Sequence, residues 1–173
     1  MEEFHDIYQK VLKKFPGIKE KEIGIKPVSW NTYLSIGMID SQEYLSTKKI
    51  IRKPTIYVGT LFFLLNQNEK EANMAHEIGH YIHNKKFNDE KLRKIVNRIR
   101  LIKKGRSNER INKWSTLTEI YADNQAAKVG YGEPLLSFLK NLYKKDYAYF
   151  TEHGKKELSA RIENLEEILK NTS

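Results

Sequence analysis

The segment Met74-Ala75-His76-Glu77-Ile78-Gly79-His80 holds the residue types that a catalytic metal needs. His76 and His80 are four residues apart, so on a helix they project about 40° apart and about 6 Å apart along the axis. Two imidazoles so placed reach one Zn2+ at about 2.0–2.1 Å. Glu77 lies about 100° round from His76, where a carboxylate flanks the ion and reaches a bound water instead of the metal. A catalytic zinc takes three protein ligands and keeps one position open. His5, His83 and His153 are the other histidines. His83 shares the stripe but is seven residues from His76, about 10.5 Å along the axis and too far to share one ion. Glu119, in Thr118-Glu119-Ile120-Tyr121-Ala122-Asp123, is the better candidate. Glu119 and Asp123 again stand at i and i+4. One carboxylate can bind the metal while the other accepts the free ring N–H of a ligating histidine, which fixes its tautomer and orientation.

These residues need two helices held close together. Asn68 with Glu71 three residues on resembles a capping box that opens the first, running to about Asn84. The second runs from about Asn112 or Ser115 to Val129, and Ala122, Ala126 and Ala127 let it approach a neighbour closely. Gly130-Tyr131-Gly132-Glu133-Pro134 ends it. Upstream, Phe4, Ile7, Tyr8, Val11, Leu12 and Phe15 have helical spacing, stopped by Pro16-Gly17. Residues 25–30, 33–39 and 43–51 read as strands, with a turn at Ile39-Asp40-Ser41. Thr55 to Gly59 reads as a buried strand and Leu61 to Leu65 as a helical turn. Residues 89–104 read as a helix with Leu92, Ile95, Ile99 and Ile102 on one face. Helices at 135–144 and 158–169 follow. Strands early and helices late predict an α+β fold, a small mainly antiparallel sheet packed on a helical zinc-binding half. The chain reads as a single domain over 1–173, with residues 1–53 as an N-terminal helix and strands and 54–173 as the zinc-binding part.

The 173 residues suffice for a core, and 39% hydrophobic content with 7 Phe, 10 Tyr and 2 Trp argues against disorder. The absence of cysteine excludes disulfide scaffolds, thiol nucleophiles and cysteine-ligated zinc. The longest apolar run, Leu61 to Leu65, falls far short of the roughly 20 residues a membrane span needs. The acidic start, Met-Glu-Glu-Phe-His-Asp, leads into no apolar stretch, so no signal peptide is expected. The expectation is a soluble, cytoplasmic protein. The formal charge of +9 is local: Lys85 to Lys113 holds twelve basic residues and three acids, and the rest of the chain balances. Such a patch can meet an anionic membrane surface, an acidic polypeptide or nucleic acid, or form a solvated face. Nucleic acid is the weakest of these, because no recognition signature accompanies the patch and aromatics are sparse in it.

His76-Glu77-Ile78-Gly79-His80 followed by Glu119-Ile120-Tyr121-Ala122-Asp123 resembles the gluzincin metallopeptidases. It is most similar to the catalytic domain of the CAAX prenyl endopeptidase and heat-shock protease HtpX group. The flanks extend the resemblance over roughly residues 54–169. An apolar strand and short helix precede the zinc helix, and Leu158-Ser159-Ala160-Arg161-Ile162 resembles the group's terminal Arg-Ile helix. Members of that group are integral membrane proteins, and this chain has no span. It looks more like the soluble minimal versions, the minigluzincins. The family's His-Pro pair before the terminal Arg is also changed, since Gly154 follows His153 and the distance to Arg161 is longer. The resemblance implies one Zn2+ held by His76, His80 and Glu119. It implies Glu77 as general base and Asp123 behind a histidine, His76.

The function expected is a zinc endopeptidase, in which Glu77 takes a proton from a metal-activated water and delivers it to the leaving amine. The tetrahedral oxyanion needs a donor besides zinc, with His153, Arg161 and a nearby Tyr as candidates. A strand between Tyr33 and Ile51 could take an extended substrate by edge addition. Two rival readings are a regulatory metalloprotease that cleaves a repressor or antitoxin, and a non-catalytic zinc-stabilised basic module for nucleic acid. Substrate preference and oligomeric state are not encoded in these motifs.

Overall fold

The computed structural model describes residues 3–29, 31, 33–37, 54–87 and 107–172. The helical spacing at the N-terminus folds as α1 (Glu3–Leu12), and all five apolar residues of its stripe are buried. A short chain segment then enters β1 (Gly24–Pro27), followed by β2 (Leu34–Gly37) and β3 (Thr55–Val58). The sheet order is β1-β3-β2. β1 pairs with β3 in parallel, Ile25 opposite Ile56, while β2 pairs with β3 antiparallel, Ile36 opposite Ile56.

The expected mainly antiparallel sheet is therefore not what forms. β3 has its Ile56 and Val58 fully buried and inserts between the two earlier strands. A period of two in side-chain polarity is the same for either pairing direction, so the pattern does not encode which way a neighbour runs. The expected strand at 43–51 and the turn at 39–41 lie outside the described residues, as does the helix at 89–104.

A one-turn helix at Thr60–Leu64 leads into α2 (Gln67–Phe87). The capping box is real but sits two residues earlier than expected. Asn66 Oδ1 accepts the Glu69 backbone N–H at 3.0 Å, and Glu69 Oε2 accepts the Asn66 N–H at 3.2 Å. The Asn-x-x-Glu spacing occurs twice in Asn66-Gln67-Asn68-Glu69-Lys70-Glu71, and the earlier copy closes the box. The later Glu71 is buried instead, with its carboxylate bound by Lys10, Gln67 and Tyr131.

Three more helices complete the described fold: α3 (Ser107–Ala126), α4 (Gly132–Asp146) and α5 (Glu152–Thr172). α3 begins at least five residues before its expected start. Between α3 and α4 the chain stays coiled through Ala127–Tyr131, and Gly130 alone turns to φ 92°, which a side chain would resist. Pro134 falls in the first turn of α4, where its missing N–H costs nothing. α5 starts at Glu152, with Thr151 Oγ accepting the Gly154 N–H at 3.1 Å, so His153 belongs to the helix and not to a preceding loop. One apolar cluster joins α1, β3, α2, α4 and α5. α2 runs through its middle, and every residue from 69 to 79 is buried. Among the described residues no helix is long and apolar enough to cross a membrane.

Candidate metal centre

α2 and α3 approach backbone to backbone at Gly79 and Ala122. A Cβ added to Gly79 would lie 2.7 Å from the Ala122 carbonyl oxygen and 2.8 Å from its Cα. Ala122 was expected to allow close approach, but its counterpart Gly79, inside the His-Glu-x-x-His segment, is the residue that makes the contact possible. With the helices this close, the carboxylates of α3 fall directly on the histidines of α2.

His76 Nε2 and His80 Nε2 face each other at 3.0 Å. Glu119 closes the group, with Oε2 at 3.3 Å from His76 Nε2 and Oε1 at 3.2 Å from His80 Nε2. Donors held by one tetrahedral ion at about 2.0–2.1 Å stand roughly 3.3 Å apart, so these separations suit a common ion. His76, His80 and Glu119 form a group that could hold a metal ion. Two imidazoles and one carboxylate are the donor types of a three-ligand site that leaves one position open. His83 is not part of it, and its ring packs edge-on against Tyr121 with centroids 4.8 Å apart.

Asp123 is fully buried, and His76 Nδ1–H donates to its Oδ1 at 2.7 Å. That bond leaves Nε2 pointed at Glu119 and His80, the orientation a ligand needs. Arg161 of α5 then clamps the carboxylates. Its Nε donates to Asp123 Oδ2 at 2.8 Å, its Nη2 to Asp123 Oδ1 at 2.9 Å, and its Nη1 pairs with Glu119 Oε2 at 2.9 Å. The guanidinium is thus committed to carboxylates on three nitrogens. It braces the Asp123 and Glu119 carboxylates.

His153, the other candidate donor, lies on the same stripe of α5, two turns before Arg161 and about 12 Å away along the axis. Its Nε2 is 3.5 Å from Glu157 Oε2, and Ser115 Oγ of α3 donates to that same oxygen at 3.1 Å. Below Arg161, Asn164 donates to Asn124 at 2.7 Å. The α3–α5 seam is therefore polar along its length, with Ser115, Glu119 and Asp123 facing Glu157, Arg161 and Asn164. Polar residues repeating every three or four positions on both helices were the signal for this seam.

The charges reinforce one another. Burial alone would push the His76 imidazole down, but its hydrogen bonds to Asp123 and Glu119 win and raise it to about 10. An ion that enters must displace that proton, so its affinity climbs with pH. Burial would also raise Glu119, yet the hydrogen bonds from His76 and His80 hold it well below the usual carboxylate range. Asp123 is driven the same way, burial being outweighed chiefly by the Arg161 charge. Arg161 in turn is held charged by Asp123 despite its burial.

Glu77 is the exception. It is 7% exposed, and among the described residues its carboxylate has no hydrogen-bond or ion-pair partner. Buried polar groups are nearly always satisfied, and one that is not calls for an explanation. Here it adjoins His76 in sequence, next to the group that could hold a metal ion.

No family model, curated protein or solved structure matches the chain at a significant level.

Proposed function

We propose that the chain is a zinc endopeptidase of gluzincin type, resembling the soluble minimal forms of the CAAX endopeptidase and HtpX group. The observation that carries this reading is the buried Glu77 carboxylate, without a partner among the described residues, next in sequence to His76 of the converging His76, His80 and Glu119 donors. The donor set, with nitrogen and carboxylate and no sulfur, favours Zn2+ among divalent ions for hydrolytic work. When bound, the ion supplies Lewis acidity, polarising a carbonyl and lowering the pKa of water toward 7.

The residues of the chain do the rest. Glu77 accepts the proton of the attacking water and returns it to the leaving amine. Asp123 fixes the His76 tautomer, and Arg161 holds Asp123 and Glu119 in place. Among the described residues β2 lies at the edge of the sheet and runs beside α2, so it offers an extended peptide a strand edge to join. The Arg161 contact with both carboxylates favours this reading over the repressor- or antitoxin-cleaving one, because it gives the terminal Arg-Ile helix a task at the site. A patch between Lys85 and Lys113 that draws the enzyme to an anionic surface fits the same proposal, although most of that segment lies outside the described residues.

Protein purified without added zinc should contain one equivalent of the metal, and anomalous scattering should place it between His76, His80 and Glu119. A metal-free protein that takes up no zinc, or a metal seated at His83 or His5, would overturn the reading.

A further inference from the structure

Three helix ends meet around a groove of about 440 Å3 that shares no residue with the metal centre. The loop after α1 forms one wall, the last turns of α2 another, and the end of α3 the third. Its floor is carbon: Phe15 is buried, and Ile18, Ile82 and Val129 pack partly buried against the core. Its rim carries Lys14, Lys85, Lys86 and Lys128, and among the described residues no carboxylate lines it. Lys85 is paired with Glu22 at 2.8 Å, and Lys14 donates to the Val129 carbonyl at 3.2 Å. Lys86 lies 5.9 Å from the centroid of the Tyr121 ring. Lys128 is exposed and has no hydrogen-bond or ion-pair partner among the described residues. Lysines near helix C-termini complement the macrodipole. That accounts for their sign but not for the apolar hollow between them.

We propose that this groove binds the monomer of a single-chain anionic amphiphile, a long-chain carboxylate, with its tail on the floor and its head among the rim ammonium groups. The volume falls in the range of small-ligand sites. A sugar or nucleotide would need several fixed donors and acceptors in the floor, and an apolar floor offers few. An acidic peptide in extended form would need a strand edge, and the walls are helix ends and a loop. A flat bilayer would touch the rim and leave the hollow empty. An ammonium rim over an apolar floor matches an anionic head on a hydrocarbon tail.

The test is calorimetric titration of the full-length chain with dodecanoate kept below its micelle-forming concentration. Dodecyltrimethylammonium, acetate and phosphatidylglycerol vesicles are run in parallel. Saturable binding of one dodecanoate per chain is expected, with none of the cationic amphiphile and none of acetate. Gly17 lines the groove, and a Cβ there meets nothing within 4 Å, so Gly17→Trp should fold and block binding. The pair Lys86→Glu with Lys128→Glu should weaken dodecanoate about tenfold. Circular dichroism checks both variants, and if the Trp variant misfolds the charge pair still decides. The proposal fails if dodecanoate shows no saturable binding, or if the cationic amphiphile binds as well. It also fails if the charge pair binds undiminished, or if only the vesicles bind.

Discussion

The two halves of α2 carry the same kind of cargo and treat it differently. In the first half Glu69, Lys70, Glu71 and Asn73 are buried, and each is closed into a bond. Glu69 caps the helix, Lys70 pairs with Glu3, Glu71 takes Lys10, Gln67 and Tyr131, and Asn73 donates to the Glu69 carbonyl. In the second half His76 and His80 converge on Glu119, and Glu77 is left with no partner among the described residues. Satisfied buried polar groups fix a fold. An unsatisfied one costs stability, and such strain is retained where a function uses it. The first half of α2 thus reads as architecture and the second as chemistry.

The strongest way to break this division is at Arg161, which the structure places on the architectural side although it stands beside the chemistry. Arg161→Met strips the buried Asp123 carboxylate of its guanidinium partner, leaving only His76 on it, and should cost about 3–5 kcal/mol in urea denaturation of the chelator-stripped protein. If Arg161 instead served substrate alone, stability would hold and only turnover would fall. Asp123→Asn should act on the ion, weakening zinc affinity about 10–100-fold in a competitive chelator titration.

Gly79→Ala tests the contact that joins the halves. Its new Cβ would press on the Ala122 backbone, where no flexible side chain can give way. The expected loss is about 1–3 kcal/mol in thermal unfolding, together with weaker zinc binding, because the ligands of α2 and α3 must separate. Unchanged zinc affinity would show that the close approach is not what assembles the centre.

The comparison sharpens with one substitution made twice. Glu71→Gln should destabilise the metal-free protein by about 1–3 kcal/mol, since three donors lose a charged acceptor. Glu77→Gln in the same metal-free protein should be neutral or stabilising, because it alters a buried group that has no hydrogen-bond or ion-pair partner among the described residues. Equal losses at the two positions would erase the distinction.

Much of this was readable in the residues. The stripe of α1, the buried β3 and the spacing of His76, Glu77 and His80 rest on local periodicity, which a sequence displays directly. Glu119 and Asp123 were found the same way, as a second i, i+4 pair. What the sequence hid was relational. The parallel pairing of β1 with β3 depends on which strand takes the centre, and side-chain alternation does not record it. The capping box slid by two residues because two copies of the spacing overlap. Arg161 stood out as the Arg of the Arg-Ile segment and as a candidate oxyanion donor, and only the docking of α5 on α3 shows its fork on Asp123 and Glu119.

The smallest effect expected lies at the far end of α2, where Tyr81 and Lys85 both donate to Glu22. Hydrogen bonds from Lys85 and then Tyr81 hold the Glu22 carboxyl down at about 2. Its folded value lies below the ordinary value of about 4.3, so its contribution is whole above that pH and fades as pH falls toward 2. Glu22→Gln should therefore lower the melting temperature slightly at pH 7 and not at all near pH 2. A deficit that persists at low pH would assign Glu22 a packing role.

The central claim is that Glu77 is the base beside a zinc ion. Digestion of an unbiased peptide library by zinc-loaded wild-type protein and zinc-loaded Glu77→Gln, compared at equal metal content, tests it most directly. The account predicts chelator-sensitive cleavage by the wild type and a rate at least about a hundredfold lower for the variant. A zinc-replete wild type that cleaves nothing, or a Glu77→Gln protein that cleaves within a few-fold of it, would contradict the account.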